Sequence, residues 1–256
     1  MKIGIIGHGS IGSNVSNSMC RLYKNAKFIV SDPKYTSLSP HLLEFTDSNK
    51  KLTLNSDHIY LCVKPNHAKD VCSEIKNYIN KEDIIVSTMA AVPLEILQGW
   101  LNHEKVIRTM PTMSLPNGPV VVYNPKNLKF VTFSHNNIIV HEEYLLDIST
   151  SVSGCMPGFL ANIMDQWIDA AVKLGLERQL AEKLICSNIN AFGDFKIRNQ
   201  DQLKSIQTMV ASKGGATEKG ISHLNDSEIE DILFDTMEIA DRRVFELIKN
   251  FRDNKS

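Results

Sequence analysis

The chain opens on a strand-like apolar run, Lys2–Ile6, that leads directly into Gly7-His8-Gly9-Ser10-Ile11-Gly12. The spacing G-x-G-x-x-G, placed after a strand and before a helical pattern at Gly12–Tyr23, predicts a βαβ unit that binds a dinucleotide. Gly7 permits the tight turn, Gly9 lets a pyrophosphate approach, and Gly12 allows close helix–strand packing. Asp32 ends the second predicted strand, Lys27–Ser31, about 20 residues further on. A carboxylate there accepts hydrogen bonds from the adenosine ribose and repels a 2′-phosphate, which favours NADH slightly over NADPH. Asp before Pro33 is equally a turn former, and the nearby Lys34 offers a phosphate a cation.

The rest of the first half alternates short apolar runs with helical patterns. Strands are expected at Leu52–Leu54, His58–Val63, Asp83–Met89 and Val106–Met110, and helices at Ala68–Ile79 and Leu94–Leu101. Such alternation marks a mostly parallel sheet covered on both faces. Val120–Tyr123, Phe130–Phe133 and Ile138–Val140 read as further strands closing that sheet. Two strand ends carry candidate ligand contacts, because open α/β sheets bind ligands at their carboxyl ends. One is Val63-Lys64-Pro65. The other is Thr88-Met89-Ala90-Ala91, whose small residues leave room for a ring or pack under a helix.

The alternation stops near residue 148. Helical patterns follow at Phe159–Leu174, Arg178–Phe192, Asp201–Ala211 and Asp226–Phe251. The expected organisation is therefore an α/β dinucleotide-binding domain of the Rossmann type over 1–148 and an all-helical domain over 149–256. Phe159–Leu174 is apolar around much of its circumference, which calls for burial on several sides, within the domain or against a second copy. Between two helical patterns lies Ser212-Lys213-Gly214-Gly215-Ala216-Thr217. A glycine pair that opens a helix lets the backbone approach a ligand and aims free N–H groups at an anion. A cofactor loop at one end and an anion-and-hydroxyl loop at the other point to an oxidoreductase acting on a small carboxylate.

Composition narrows the partners. A net charge of −1 leaves no electrostatic footprint for nucleic acid or membrane. No apolar run reaches about 18 residues, the length of a spanning helix. The 5 cysteines are scattered without a C-x-x-C pair, and the 8 histidines form no zinc motif, so no metal is expected. A reducing, cytoplasmic setting fits best.

Seven segments, in order, resemble the pyrroline-5-carboxylate reductase family, and the similarity covers essentially the whole chain. IIGHGSIG is similar to the family's opening fingerprint, HIYLCVKP to its strand ending in V-K-P, and IIVSTMAAV to S-x-A-A-G-V. VIRTMP resembles V-I-R-x-M-P, SVSGCMP resembles L-S-G-S-G-P, and DAAVKLGL resembles a helix ending G-V-K-x-G-L. VASKGGATEKGI resembles the signature V-x-S-P-G-G-x-T-x-x-G-L. The resemblance implies reduction of 1-pyrroline-5-carboxylate to L-proline with NAD(P)H. It also implies a helical domain that forms a homodimer, often within larger rings. By motif, the cofactor meets Ile6, Gly7, His8, Gly9, Ser10, Ile11, Asn49, Val63, Lys64, Pro65, Thr88, Met89, Ala90 and Glu143. The substrate carboxylate sits on the backbone at Ala216 and Thr217 beside Ser212, and the Thr217 hydroxyl faces the imine nitrogen.

The chain also departs from the family pattern. Cys155-Met156 stand where small residues are usual, Lys213 replaces Pro, Glu218-Lys219 replace an apolar or small pair, and Ala91 replaces Gly. Thr112-Met113-Ser114 replace Asn-Thr-Pro. The S-K-G-G-x-T form is similar to a branch that includes late-competence proteins. It leaves open a reductase for another imine, or a dinucleotide-binding homologue with a regulatory or partner-binding role.

Overall fold

In the computed structural model, the described residues are 1–34, 43–199 and 202–253. They fall into two units, Met1–Cys155 with Ile239–Ser256, and Met156–Glu238.

The first unit is built on one 8-stranded sheet. Its strands are β1 (Lys2–Ile6), β2 (Lys27–Ser31), β3 (Leu43–Thr46), β4 (His58–Leu61), β5 (Ile84–Ser87), β6 (Val106–Pro111), β7 (Pro119–Tyr123) and β8 (Asn136–Val140). The order is β3-β2-β1-β4-β5-β6-β7-β8. All neighbours run parallel except β6 and β7, which pair antiparallel. Strand order reverses between β1 and β4, the switch point where doubly wound sheets open a ligand crevice. Helices α1 (Ser10–Leu22), α2 (Asn49–Leu54), α3 (Ala68–Ile75), α4 (Leu94–Leu101) and α5 (Glu143–Ser149) complete the unit, with the end of α10 (Ile229–Asp253). Alternate residues of β1 feed opposite cores: Ile3 and Ile5 pack with Val15, Met19 and Tyr60, while Ile6 packs with Leu52, Ile59 and Leu97. Residues buried on both faces explain why these strands read as continuous apolar runs.

Two expected strands are corrected. Leu52–Leu54 belongs to helix α2, which Ser48 caps by accepting the Lys51 N–H at 3.1 Å. The third strand is Leu43–Thr46 instead. A short buried run fits either element, and the cap decides. Phe130–Phe133 joins no ladder. It is an anchored loop in which the Phe133 carbonyl accepts from Ser18 Oγ at 2.6 Å and the Val131 carbonyl accepts from the Tyr60 hydroxyl. Side chains thus satisfy backbone acceptors that a strand would have paired.

The expected division between 148 and 149 differs from the observed one. α5 and the π-helical turn after it, Thr150–Gly154, stay with the sheet, where Leu146 packs on Met110 and Val121. The chain also returns to the first unit, since Val244 and Ile248 of α10 pack on Ala91 and Phe251 meets Trp100 edge-on.

The second unit holds α6 (Met156–Lys173), α7 (Arg178–Asn199), α8 (Leu203–Val210), α9 (Ala216–Asn225) and the start of α10. Of the helix expected at Asp201–Ala211, residue 201 lies outside the described residues. Among the described residues of this unit, Ile168, Ala181 and Ile206 are the buried apolar side chains. Trp167, Leu174, Leu184, Phe192, Ile232 and Phe234 are exposed.

Candidate active site

The glycine loop is assembled by local sterics. Gly7 has φ +93, a conformation that L side chains rarely adopt. A Cβ on Gly12 would lie 1.9 Å from the Gly7 carbonyl oxygen, so only glycine lets the helix start this close to the strand. A Cβ on Gly9, by contrast, would meet nothing within 4 Å. The loop is therefore tight behind and open in front, and Gly9 stands as the N-cap of α1. A helix start with free N–H groups and open space before it fits a pyrophosphate.

Asp32 lies beside this loop. One carboxylate oxygen accepts the His8 backbone N–H at 2.7 Å, and the other accepts the Lys34 N–H at 2.8 Å. Asp32 thus ties the glycine loop to the end of β2, and its turn-forming role is real. The His8 ring turns back onto the protein: Nε2 lies 3.0 Å from Ser16 Oγ, and the ring meets Phe45 edge-on. Burial lowers the His8 pKa, against the attraction of Asp32. Asn49 starts α2, accepts from Ser31 Oγ at 2.7 Å and donates to Glu74. Ile6, Ser10 and Ile11 flank the same turn. Val63, Lys64 and Pro65 follow β4, where Pro65 opens a short 3₁₀ turn, Pro65–His67.

Thr88, Met89 and Ala90 leave the carboxyl end of β5. The Thr88 N–H and hydroxyl both donate to the Leu61 carbonyl, at 3.0 and 3.1 Å, and the Met89 N–H donates to Ser87 Oγ at 3.2 Å. Buried Cys62 sits alongside, its thiol pushed up to about 12 by desolvation in spite of the Thr88 hydroxyl. It is therefore a packing group and no nucleophile at neutral pH. Ala91 closes the turn at φ 63 and is fully buried.

Glu143 bonds to the start of α4 and to β6. As the first residue of α5, its Oε1 accepts from the Leu94 backbone N–H at 2.7 Å and from Arg108 Nη1 at 2.5 Å. Arg108, only 1% exposed, also donates through Nη2 to Asp147 Oδ1 at 2.8 Å. Burial raises the Asp147 pKa, although Arg108 and its hydrogen bond oppose this. Sequence reasoning missed this network. Its signal was a lone Arg in the buried run VIRTMP, with two carboxylates at i and i+4 on one helix face.

In the second unit, Gly214 (φ +75) turns the chain into α9, with Gly215 as N-cap and Ala216 and Thr217 as the first helical residues. Their N–H groups have no intrahelical acceptor. The Gly215 N–H donates to the Ser212 carbonyl at 2.9 Å, and a Cβ on Gly215 would lie 2.5 Å from Ser212 Oγ, so the turn folds tightly over Ser212. One of the departures acts here: Glu218 Oε2 accepts the Gly214 N–H at 2.7 Å. Among the described residues, no three His, Cys, Asp or Glu side chains come together as a metal site.

Two family models match the chain. One, described as pyrroline-5-carboxylate reductase dimerisation, covers residues 143–247. The other, described as NADP oxidoreductase coenzyme F420-dependent, covers residues 2–91. A pyrroline-5-carboxylate reductase of Staphylococcus haemolyticus is 30% identical over 220 residues, which is 81% of each chain. Two solved structures share the fold. The pyrroline carboxylate reductase of Plasmodium falciparum, with NADP bound, has a TM-score of 0.85 at 22% identity, covering 97% of this chain and 98% of that one. The pyrroline-5-carboxylate reductase of Coxiella burnetii has a TM-score of 0.86 at 22% identity, covering 96% and 97%.

Proposed function

Because the chain belongs to the pyrroline-5-carboxylate reductase family, we propose that it reduces the C=N bond of a small cyclic imino acid, 1-pyrroline-5-carboxylate to L-proline, with NAD(P)H as hydride donor. The observation that carries this reading is the relative of that name, whose similarity spans most of both chains. The glycine loop's shape, tight at Gly12 and open at Gly9, supports dinucleotide binding. The bound dinucleotide supplies the hydride. A protonated cyclic imine is already electrophilic, so the protein's task is positioning rather than acid or base catalysis. The N–H groups of Ala216 and Thr217 receive the substrate carboxylate beside Ser212, and the Thr217 hydroxyl orients the nitrogen. Asp32 keeps lone pairs for the ribose beyond its two loop bonds, which supports NADH as the preferred donor. The exposed apolar faces of the second unit support a homodimer through that unit, and rings of dimers extend it. The free cysteines support a reducing, cytoplasmic compartment.

A second reading is favoured by one observation, the Glu218 carboxylate on the turn that opens α9. A negative charge there competes with a substrate carboxylate, as suits another imine or a homologue with a regulatory role. Steady-state oxidation of NADH and NADPH with 1-pyrroline-5-carboxylate separates the readings. Turnover is expected with both donors, with the higher kcat/KM for NADH and the preference weakened in Asp32→Asn. Tight dinucleotide binding without turnover supports the second reading and sinks the first.

A further inference from the structure

The turn Thr88–Pro93 is held at both ends by different means. Its start is fixed through the sheet, since the Thr88 N–H and hydroxyl bond to the Leu61 carbonyl and Thr109 Oγ1 bonds to the Ser87 carbonyl at 3.0 Å. Its other end is Pro93, the N-cap of α4, which has no N–H and no side-chain acceptor. The first orphan donor of α4 is therefore Leu94 N–H, and Glu143 Oε1 satisfies it at 2.7 Å. That same oxygen is gripped by Arg108 Nη1 at 2.5 Å, and the other arm of the guanidinium holds Asp147 at 2.8 Å. Arg108 lies opposite Ser87 in the β5–β6 ladder, one residue before the turn begins. Between the two anchors Ala91 is held at φ 63, where a residue with a Cβ is strained, so the turn would relax if one end were released.

We propose that Arg108 and Glu143 form a clamp that holds the Thr88–Ala90 turn in its dinucleotide-binding shape, with Glu143 acting as a positioning residue through the Leu94 N–H. The clamp rests on the reading that this turn contacts the dinucleotide. It works through a planar fork that engages two carboxylates of one helix face at once. Lysine, a point charge on a flexible stem, does not reproduce that geometry.

The test is fluorescence titration of the purified protein with NADH and with NADPH, alongside thermal unfolding. Glu143→Ala removes the Leu94 acceptor but leaves Arg108 paired with Asp147, so no buried charge is orphaned. It is expected to weaken both dinucleotides roughly tenfold. Glu143→Gln keeps an acceptor for Leu94 and is expected to restore most of that affinity. Arg108→Lys is expected to weaken both dinucleotides in the same sense as Glu143→Ala, and it carries the test if the alanine variant does not fold. If wild-type protein binds dinucleotide and Glu143→Ala melts earlier but binds equally well, the clamp is only structural and the inference falls alone. Loss of affinity in Glu143→Gln as large as in Glu143→Ala makes the carboxylate a direct ligand and also overturns it. Wild-type protein that binds neither dinucleotide overturns the inference together with the reading beneath it.

Discussion

Ala91 is the residue where backbone and packing pull in opposite directions. It adopts φ 63 and is fully buried against Val244 and Ile248, at a position where the family pattern has glycine. A left-handed alanine costs about 1–2 kcal/mol. Glycine would remove that strain, but it would lose a buried methyl worth about 0.8 kcal/mol and gain about 0.4–1 kcal/mol of unfolded-state entropy. The terms nearly cancel. Ala91→Gly is expected to leave the stability within about 1 kcal/mol of wild type in urea unfolding. Ala91→Val, a β-branched side chain at positive φ, is expected to cost several times more. A large loss on Ala91→Gly would mean that the methyl contact, not the backbone, governs this turn.

At the scale of elements, the start of α9 separates a positioning role from a capping one. Thr217 is the second residue of the helix and is exposed, so its removal opens no cavity. A hydrogen bond to a charged partner is worth about 1.5–3 kcal/mol. If felt in the transition state, its loss slows turnover roughly 10- to 150-fold. Thr217→Ala is expected to lower kcat/KM on an imino acid substrate within that range, with dinucleotide affinity and melting temperature unchanged. Full activity with earlier melting would assign Thr217 to helix stability alone and withdraw it from the site.

For the whole molecule, the imbalance between the units is the main constraint. The sheet unit buries two apolar cores, one on each face. The helical unit leaves Leu174 89% exposed, with Trp167, Phe192 and Phe234 also at the surface. Apolar surface of this kind, on helices that bury few apolar side chains among the described residues, calls for a covering partner. The match of residues 143–247 to a dimerisation family identifies that partner as a second copy. Light scattering at micromolar concentration is expected to give a dimer or a multiple of it. A stable monomer would rule this assembly out.

The sequence by itself determined what depends on near neighbours in the chain. The turn at Gly7–Gly12 is a matter of backbone sterics within six residues, and the buried parallel strands show as unbroken apolar runs because both their faces are covered. The glycine opening of α9 is equally local. Only the tertiary structure decided the rest. The Leu52–Leu54 run could satisfy either period, and the Ser48 cap with burial of Leu52 made it helical. The pairing of Arg108 with Glu143 spans 35 residues and exists only because β6 and the start of α5 meet in the folded sheet. The return of α10 to Ala91 joins the far end of the chain to the first unit. Side-chain ion pairs and helix docking are set by which elements become neighbours in space, a choice governed by burial summed over the whole chain and not by any short window of it.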